Sequence, residues 1–562
     1  MQTPAEDVGW LADDLYQVCL DWVPLEYTLF GIRDRDDRLT DFSEAGEDAI
    51  RARLLAIVNR ASAIDLLGLS PWQRVNLSAM QQMAASIAED LSTRQVEVAI
   101  TDSLFAPAIR LLALLSMVSI TAPEHAEAYL TRLGTVPQAL AEIADRHRCG
   151  IAAGRTPVRR LVEATVVQLD RHLAAPEDPL TTPQPAPDSG VDIARFTAER
   201  DRIVADEVRP ALARYRDMLA AEVASHGRAE DRPGLCWLPG GEDHYATLVR
   251  VHTTTDRDPT DLHRTGLDLI GALAAEYAEI GGRLFGITDG GEIRARLRTD
   301  PSLRWRDGQA MIAAAREAIE RAERAAGSWF GVLPSQGCTV EPVPEHEAPA
   351  GAAAYYRPPA LDGSRPGIYY LNTHQADQRG RATYEAVAFH ETVPGHHFQR
   401  TRQQELTDLP LVRRFGGFTA YSEGWGLYAE RLADEMGLYS DDLARLGMLS
   451  EDSMRAARLV VDTGLHALGW SRAQVVEFLL ANTATPAVEV EPEADRYIAA
   501  PGQALSYMVG RLEIQRIRAD AEQRLGERFD VRAFHDTVLG SGPLPLTVLD
   551  RVVSDWVTRQ SR

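Results

Sequence analysis

YEAVAFHETVPGHHFQRTRQQ, residues 384–404, decides how the chain is read. Its first part, Tyr384 to Glu391, has helical character and ends in a His-Glu pair. Pro394 then lacks a backbone donor and clashes with the carbonyl four residues back, that of His390, while Gly395 admits backbone angles that other residues avoid. A kink or bulge is therefore expected before His396 and His397. In the pattern H-E-x-x-H, two histidines four apart on one helix face bind zinc, and the glutamate beside the first polarises the attacking water. Here the fourth position after His390 is Pro394. In an unbroken helix His397 would lie within roughly 20° of His390 but about 10.5 Å further along the axis, and His396 would face away. Straight geometry favours His397, whereas a kink brings in His396.

A third ligand is expected on a following helix. YSEGWGLYAERLADEMG, residues 421–437, places Glu423 and Glu430 seven apart, on one helical face to within about 20°. Glu423 lies 27 residues beyond His396, which is similar to the separation at which glutamate-type zinc peptidases return their third ligand, and Glu430 would then suit a supporting position behind the metal. The fragment Gly424 to Ala429 also fits G-x-G-x-x-A. With no strand before it and glutamates beside it, a pyrophosphate site is rejected. In RLVVDTGLHALGW, residues 458–470, Asp462 and His466 lie four apart, a spacing suited to metal or to a core histidine held by the aspartate. In YIAAPGQALSYMVGRLEI, residues 497–514, Pro501 can open a helix carrying Gln503, Tyr507, Gly510 and Arg511 at three- and four-residue spacing. A tyrosine can donate to a developing oxyanion, and an arginine can grip a carboxylate with two prongs.

The rest of the chain reads as mainly α. Ala45 to Ala63, Pro71 to Leu91, Ala106 to Ile120, Pro137 to His147, Ile193 to Ser225, Pro259 to Ile280 and Ser302 to Ala326 carry apolar residues at helical spacing. Residues 1–175 are expected to form an N-terminal helical lobe. Residues 176–190, with five prolines, read as a linker or surface loop, and 191–562 as the catalytic helical lobe. Two aromatic runs, Ala353 to Tyr356 and Gly367 to Asn372, flank the turn-forming PPALDGSRP and predict a β-hairpin beside the histidine helix.

The 562 residues are 45% hydrophobic and 25% charged, as in folded globular chains. All 59 basic residues are arginine, which excludes Schiff-base and pyridoxal enzymes, Walker phosphate loops and protein kinases, each of which needs a lysine. A net charge of -23 argues against nucleic acid as a partner. No apolar run is long enough to cross a bilayer, and the acidic start lacks the features of a secretion signal, so a cytoplasmic, membrane-free protein is expected. Cys19, Cys149, Cys236 and Cys338 are too scattered for a disulfide framework and are read as small buried residues.

HETVPGHHFQ, SEGWGLYAE, RLVVDTGLHALGW, PGQALSYMVGRLEI and YYRPPALDGSRPGIYYLNT together resemble the bacterial domain-of-unknown-function family 885, strongly over residues 355–514. That family is similar to the glutamate zincins, which include thermolysin, angiotensin-converting enzyme and the thermostable carboxypeptidases. The resemblance implies two mostly helical lobes around a deep cleft and one zinc ion held by His390, His396 and Glu423, with Glu391 as general base. It selects His396 over His397, gives Tyr507 the oxyanion, and makes Gly367 to Asn372, with Tyr369, Tyr370 and Asn372, an edge strand that holds an extended substrate. The expected activity is hydrolysis of short peptides by a metal-bound water, with Gln503 and Arg511 also contacting substrate. Two other readings are a di-metal carboxylate-bridged enzyme using Glu423, Glu430, Asp462 and His466, and a catalytically silent peptide-binding protein.

Overall fold

Local sequence sets most helix starts. Thr3 with Glu6, Ser70 with Gln73 and Ser471 with Gln474 form capping boxes, in which the hydroxyl and the acid or amide satisfy each other's free backbone N–H groups. The computed structural model describes residues 3–345, 348, 353–359 and 365–562, and these are mainly α-helical with one small sheet. Two helices run longer than their periodicity suggests. Pro123–Ala152 passes through Pro137, and Ala487–Ala499 contains Pro492, so neither proline breaks its helix.

The cores do not divide at the proline-rich stretch. Helices on both sides of residues 176–190 share one core, in which Leu133, Leu140, Val162, Phe196, Leu212 and Val223 pack together around the buried Leu180. Helices Pro4–Trp22, Glu44–Ala63 and Pro71–Ser92 contribute instead to the core that surrounds the site, through Leu15, Leu54, Met80 and Met83. The long helix Asp442–His466 links three further cores, to which it contributes Leu465, Leu459 and Leu446 in turn. It is buried along most of its length against helix Pro259–Phe285 and others, and Asp452, Arg458, Asp462 and His466 are buried with the apolar residues. Of the four cysteines only Cys19 is buried, and Cys149 is exposed, so the expectation of four buried thiols fails for three.

The sheet has three strands, β1 (Cys338–Pro342), β2 (Ala354–Arg357) and β3 (Gly367–Leu371), in the order β1-β3-β2. β2 and β3 pair antiparallel, Ala354 with Leu371 through Arg357 with Ile368. Residues 360–364 of the connecting PPALDGSRP lie outside the described residues. β1 pairs parallel to β3, Cys338 with Gly367 through Pro342 with Leu371. β3 is therefore the central strand, and the expectation that it offers a free edge to substrate is corrected: both of its edges are already bonded.

Candidate metal centre

The histidine helix, Tyr384–Glu391, buries Ala386, Ala388, Phe389 and His390 and stops at Thr392; a new helix, His396–Glu405, begins after four residues. Gly395 makes this break possible. Its N–H donates to the Phe389 carbonyl at 3.0 Å, and a Cβ there would lie 1.9 Å from the His390 carbonyl oxygen, so no side chain fits. Trp425, fully buried, donates its indole N–H to the Pro394 carbonyl at 2.8 Å and ties the break to the helix carrying Glu423.

That glutamate helix, Thr419–Glu435, crosses the tyrosine helix, Ser506–Leu525, at two glycines. A Cβ on Gly424 would stand 2.5 Å from Gly510 Cα, and one on Gly510 would stand 1.9 Å from the Ala420 carbonyl oxygen. Gly426 gives the same clearance to His390, whose ring atoms would lie 2.7 to 3.0 Å from an added Cβ. The G-x-G spacing thus serves close packing, with the first glycine admitting the tyrosine helix and the second admitting the histidine.

These close approaches bring His390, His396 and Glu423 together. Among the described residues they form the one group of three or more such side chains whose ligand atoms all lie within 4.8 Å of one another. Glu423 Oε2 is 3.6 Å from His390 Nε2 and 3.4 Å from His396 Nε2. The two imidazoles stand nearly perpendicular, at 87° with centroids 4.6 Å apart. Behind them Glu430, fully buried, accepts from His390 Nδ1–H at 2.7 Å, which leaves Nε2 facing Glu423. His396 Nδ1 is buried with no hydrogen-bond partner. The side chains of His396 and Glu423 keep 14% and 22% of their exposure, so part of the cluster meets solvent.

Burial alone would lower the pKa of His390, but Glu423, Glu430 and Glu391 raise it to about 10. Burial would raise Glu423, and His396 and His390 instead hold it well below the usual carboxylate range. His390 and Glu423 are thus a tightly coupled pair of opposite charges, and a cation taking the place of the His390 proton would meet the same negative field. Glu391, half-buried at the end of the histidine helix, makes no hydrogen bond or ion pair among the described residues. Its charge is close enough to raise both His390 and the buried Tyr369.

The other sequence candidates fall in several places. His397 turns away from the cluster. Its Nε2–H donates to the Gln336 carbonyl at 3.0 Å and its Nδ1 accepts from the Tyr356 hydroxyl at 2.9 Å, so both nitrogens are occupied, and burial pushes it down to about 4. Asp462 and His466 neither bond to each other nor join the cluster, which corrects the reading of a histidine held by that aspartate. Asp462 accepts from the Tyr245 hydroxyl at 2.6 Å and from the Gly502 N–H, and burial raises it to about 7. His466 accepts from the Leu235 N–H and donates to the Tyr497 carbonyl. Arg511, expected to grip substrate, is buried and pairs through Nη1 with Asp452, itself also bound by Arg431, in the interior rather than at the cluster. Tyr369 and Asn372 are fully buried, and Tyr370 stacks on Tyr355 across the β2-β3 pair. The ring of Tyr507 lies over that of His390, centroids 6.4 Å apart, and its hydroxyl accepts from Arg496 Nη2 at 3.3 Å. Gln503 Oε1 accepts from the same guanidinium at 2.9 Å. Arg455, Arg458 and Arg496, which surround Tyr507, are given no role by the sequence motifs, and their grouping is visible only once the helices are assembled.

The body is mainly helical, and two histidines and a glutamate from three of its helices converge on one point, with a second glutamate alongside. The chain belongs to the family described as bacterial protein of unknown function (DUF885), which matches residues 24–553. It is similar over its full length to a candidate lipoprotein from Colwellia psychrerythraea, with 26% identity, 100% of each chain covered and a TM-score of 0.91. A candidate lipoprotein of unknown function from Shewanella oneidensis shares the fold at 19% identity, with 98% of this chain and 99% of that one covered and a TM-score of 0.76. No curated protein matches the chain. Among the described residues no helix is long and apolar enough to cross a membrane.

Proposed function

We propose that His390, His396 and Glu423 seat one zinc ion and that the chain hydrolyses short peptides. The convergence of those three side chains carries the reading. Zinc takes nitrogen and carboxylate oxygen at about 2.0–2.2 Å in tetrahedral sites, so adjacent ligand atoms should lie about 3.3–3.6 Å apart. The separations of 3.6 and 3.4 Å from Glu423 Oε2 to the two Nε2 atoms fit that spacing. A site of three protein ligands leaves one position open, and the partial exposure of His396 and Glu423 favours access there. When bound, zinc would acidify a water and polarise a carbonyl.

The chain's own residues supply the rest. Glu391, unengaged beside the cluster, accepts the proton of the attacking water and can return it to the leaving amine. Glu430 fixes the orientation of His390 through its Nδ1–H. Because Arg496 donates to the Tyr507 oxygen, the hydroxyl proton of Tyr507 stays available for the developing oxyanion. The arrangement is similar to that of the glutamate zincins, with a broken helix in place of the continuous H-E-x-x-H turn. A di-metal enzyme is less well supported, since Glu430 is engaged by His390 and both nitrogens of His466 are used in the core. The candidate-lipoprotein descriptions of both structural relatives favour the cell envelope over the cytoplasm as the place of action, which fractionation of the producing cells would decide.

Glu391→Gln is the test of the activity. It keeps the shape of the site but cannot accept a proton, so the variant should bind zinc at the parent level and lose peptide hydrolysis by several orders of magnitude. Hydrolysis at the parent rate would remove Glu391 from the role, and a zinc-loaded parent that cleaves no peptide would leave a binding protein.

A further inference from the structure

We propose that Arg455, Arg458 and Arg496, gathered around Tyr507, form a seat for the terminal carboxylate of a short peptide, so that cleavage is directed to its C-terminal end. The inference rests on the peptidase reading for the word cleavage; the seat itself is a statement about binding. Arg458, on the long helix, holds its Cζ 4.7 Å from the centre of the Tyr507 ring, and Arg455, one turn earlier, 5.9 Å. Arg496, on helix Ala487–Ala499, reaches the Tyr507 hydroxyl and Gln503 from the other side.

Acidic partners do not use up these guanidinium groups. Glu493 is shared, at 3.1 Å from Arg458 and 3.4 Å from Arg496. Glu451 pairs with Arg455, and Glu430, 3.9 Å from Arg455, is already bonded to His390. Arg458 donates through Nε to the Tyr497 hydroxyl and through Nη2 to Glu493, but its Nη1 is buried without an acceptor. It is the one terminal guanidinium nitrogen among the described residues in that state. An unmatched charged donor in the interior is costly and asks for an acceptor that arrives from outside. A carboxylate supplies two oxygens and the missing negative charge, in the geometry a guanidinium fork prefers. The side chains of Arg496 and Glu493 keep 23% and 21% of their exposure, and Tyr507 and Gln503 are half-buried, so the group is open on one side.

The position also restricts the product. The Tyr507 ring is 6.4 Å from that of His390, and Arg458 Cζ is 4.7 Å beyond it at most. With extended chain advancing about 3.3–3.6 Å per residue, a carboxylate in the seat leaves room for only a few residues between itself and the cluster. Short fragments, not long ones, would be released from the C-terminus.

The experiment measures binding in the Glu391→Gln protein, where turnover does not interfere. N-acetyl-trialanine and its C-terminal amide are titrated calorimetrically into this protein and into its further variants Arg496→Ala and Arg458→Lys, with melting curves on the same samples. The free acid should bind about 10- to 100-fold more tightly than the amide. Each arginine variant should bring the acid down to the amide and leave the amide's affinity in place. If Arg458→Lys does not fold, Arg496→Ala, at a more exposed position, decides alone. Equal binding of acid and amide, or an acid preference that survives in folded Arg496→Ala, overturns the proposal. An acid preference lost in the variants, in a protein whose parent cleaves nothing, supports the seat and removes the peptidase reading instead.

Discussion

Replacing Gly426 by alanine should damage a metal site that the residue never touches through a side chain. A Cβ at this position would stand 2.7 Å from His390 Cε1, 2.8 Å from Nε2 and 3.0 Å from Nδ1. Restoring the 3.4 Å of ordinary contact from 2.7 Å requires a retreat of about 0.7 Å, well beyond the roughly 0.2 Å tolerance of a metal-ligand bond. The ring cannot retreat freely, because the 2.7 Å bond from Nδ1–H to Glu430 holds it from behind. Overpacking of this kind costs about 1–3 kcal/mol, offset in part by about 1 kcal/mol of helix propensity gained on replacing glycine. Zinc affinity, read by competition with a chromogenic chelator, should fall about 10- to 100-fold, the range seen when ligand orientation is disturbed. Gly271→Ala is the control: it lies mid-helix with nothing within 4 Å of its added Cβ and should be neutral or slightly stabilising. A folded Gly426→Ala protein with parent zinc affinity would refute the packing argument.

Three further outcomes follow from the same geometry. His397→Gln keeps a donor for the Gln336 carbonyl but strands the Tyr356 hydroxyl, so stability should drop by about 1–3 kcal/mol while zinc content stays at the parent level; loss of zinc would put His397 back among the ligands. Arg511→Met should destabilise by about 1–3 kcal/mol, because Asp452 loses one of its two buried arginine partners and keeps Arg431, without favouring amidated over free-acid peptides; a parent melting temperature with a raised KM for free acids would contradict this. Burial pushes His147, His252, His397, His466 and His535 down to about 4, against 6.5 when unfolded. Between those values the unfolded chain carries protons that the native one does not, so stability should fall as pH drops from 6.5 to 4, by up to about 3 kcal/mol per histidine. Asp462, raised to about 7, and Asp90, raised to about 6, act in the opposite sense as two groups against five, and unfolding midpoints that rise through this acid window would refute the assignment.

The helical class was legible because apolar residues recur at helical spacing, and the break before His396 because a proline and a glycine stand where a helix would need a donor and a side chain. The choice between His396 and His397 was not settled by straight-helix geometry, which points the wrong way once Gly395 folds the chain back onto the Phe389 and His390 carbonyls. β1 escaped notice because its alternation is short and its partner is parallel and distant in sequence, and that omission made β3 look like an edge. Gly424 and Gly426 were read for a phosphate and set aside, whereas their meaning lies in what crosses them, which no single segment encodes. Arg511 illustrates the same limit. Its spacing from Tyr507 suggested a shared site, but Asp452 on another helix claims it, while Arg455, Arg458 and Arg496 reach Tyr507 from two further helices.

The measurement that tests the central claim most directly is elemental analysis of purified protein after chelation and refilling, for the parent, His390→Ala, His396→Ala and Glu423→Gln. The parent should hold about one zinc per chain, and each variant, if folded by its melting curve, should hold almost none. A parent that takes up no zinc, or a His390→Ala protein that keeps a full equivalent, would contradict the assignment of the cluster as a zinc site.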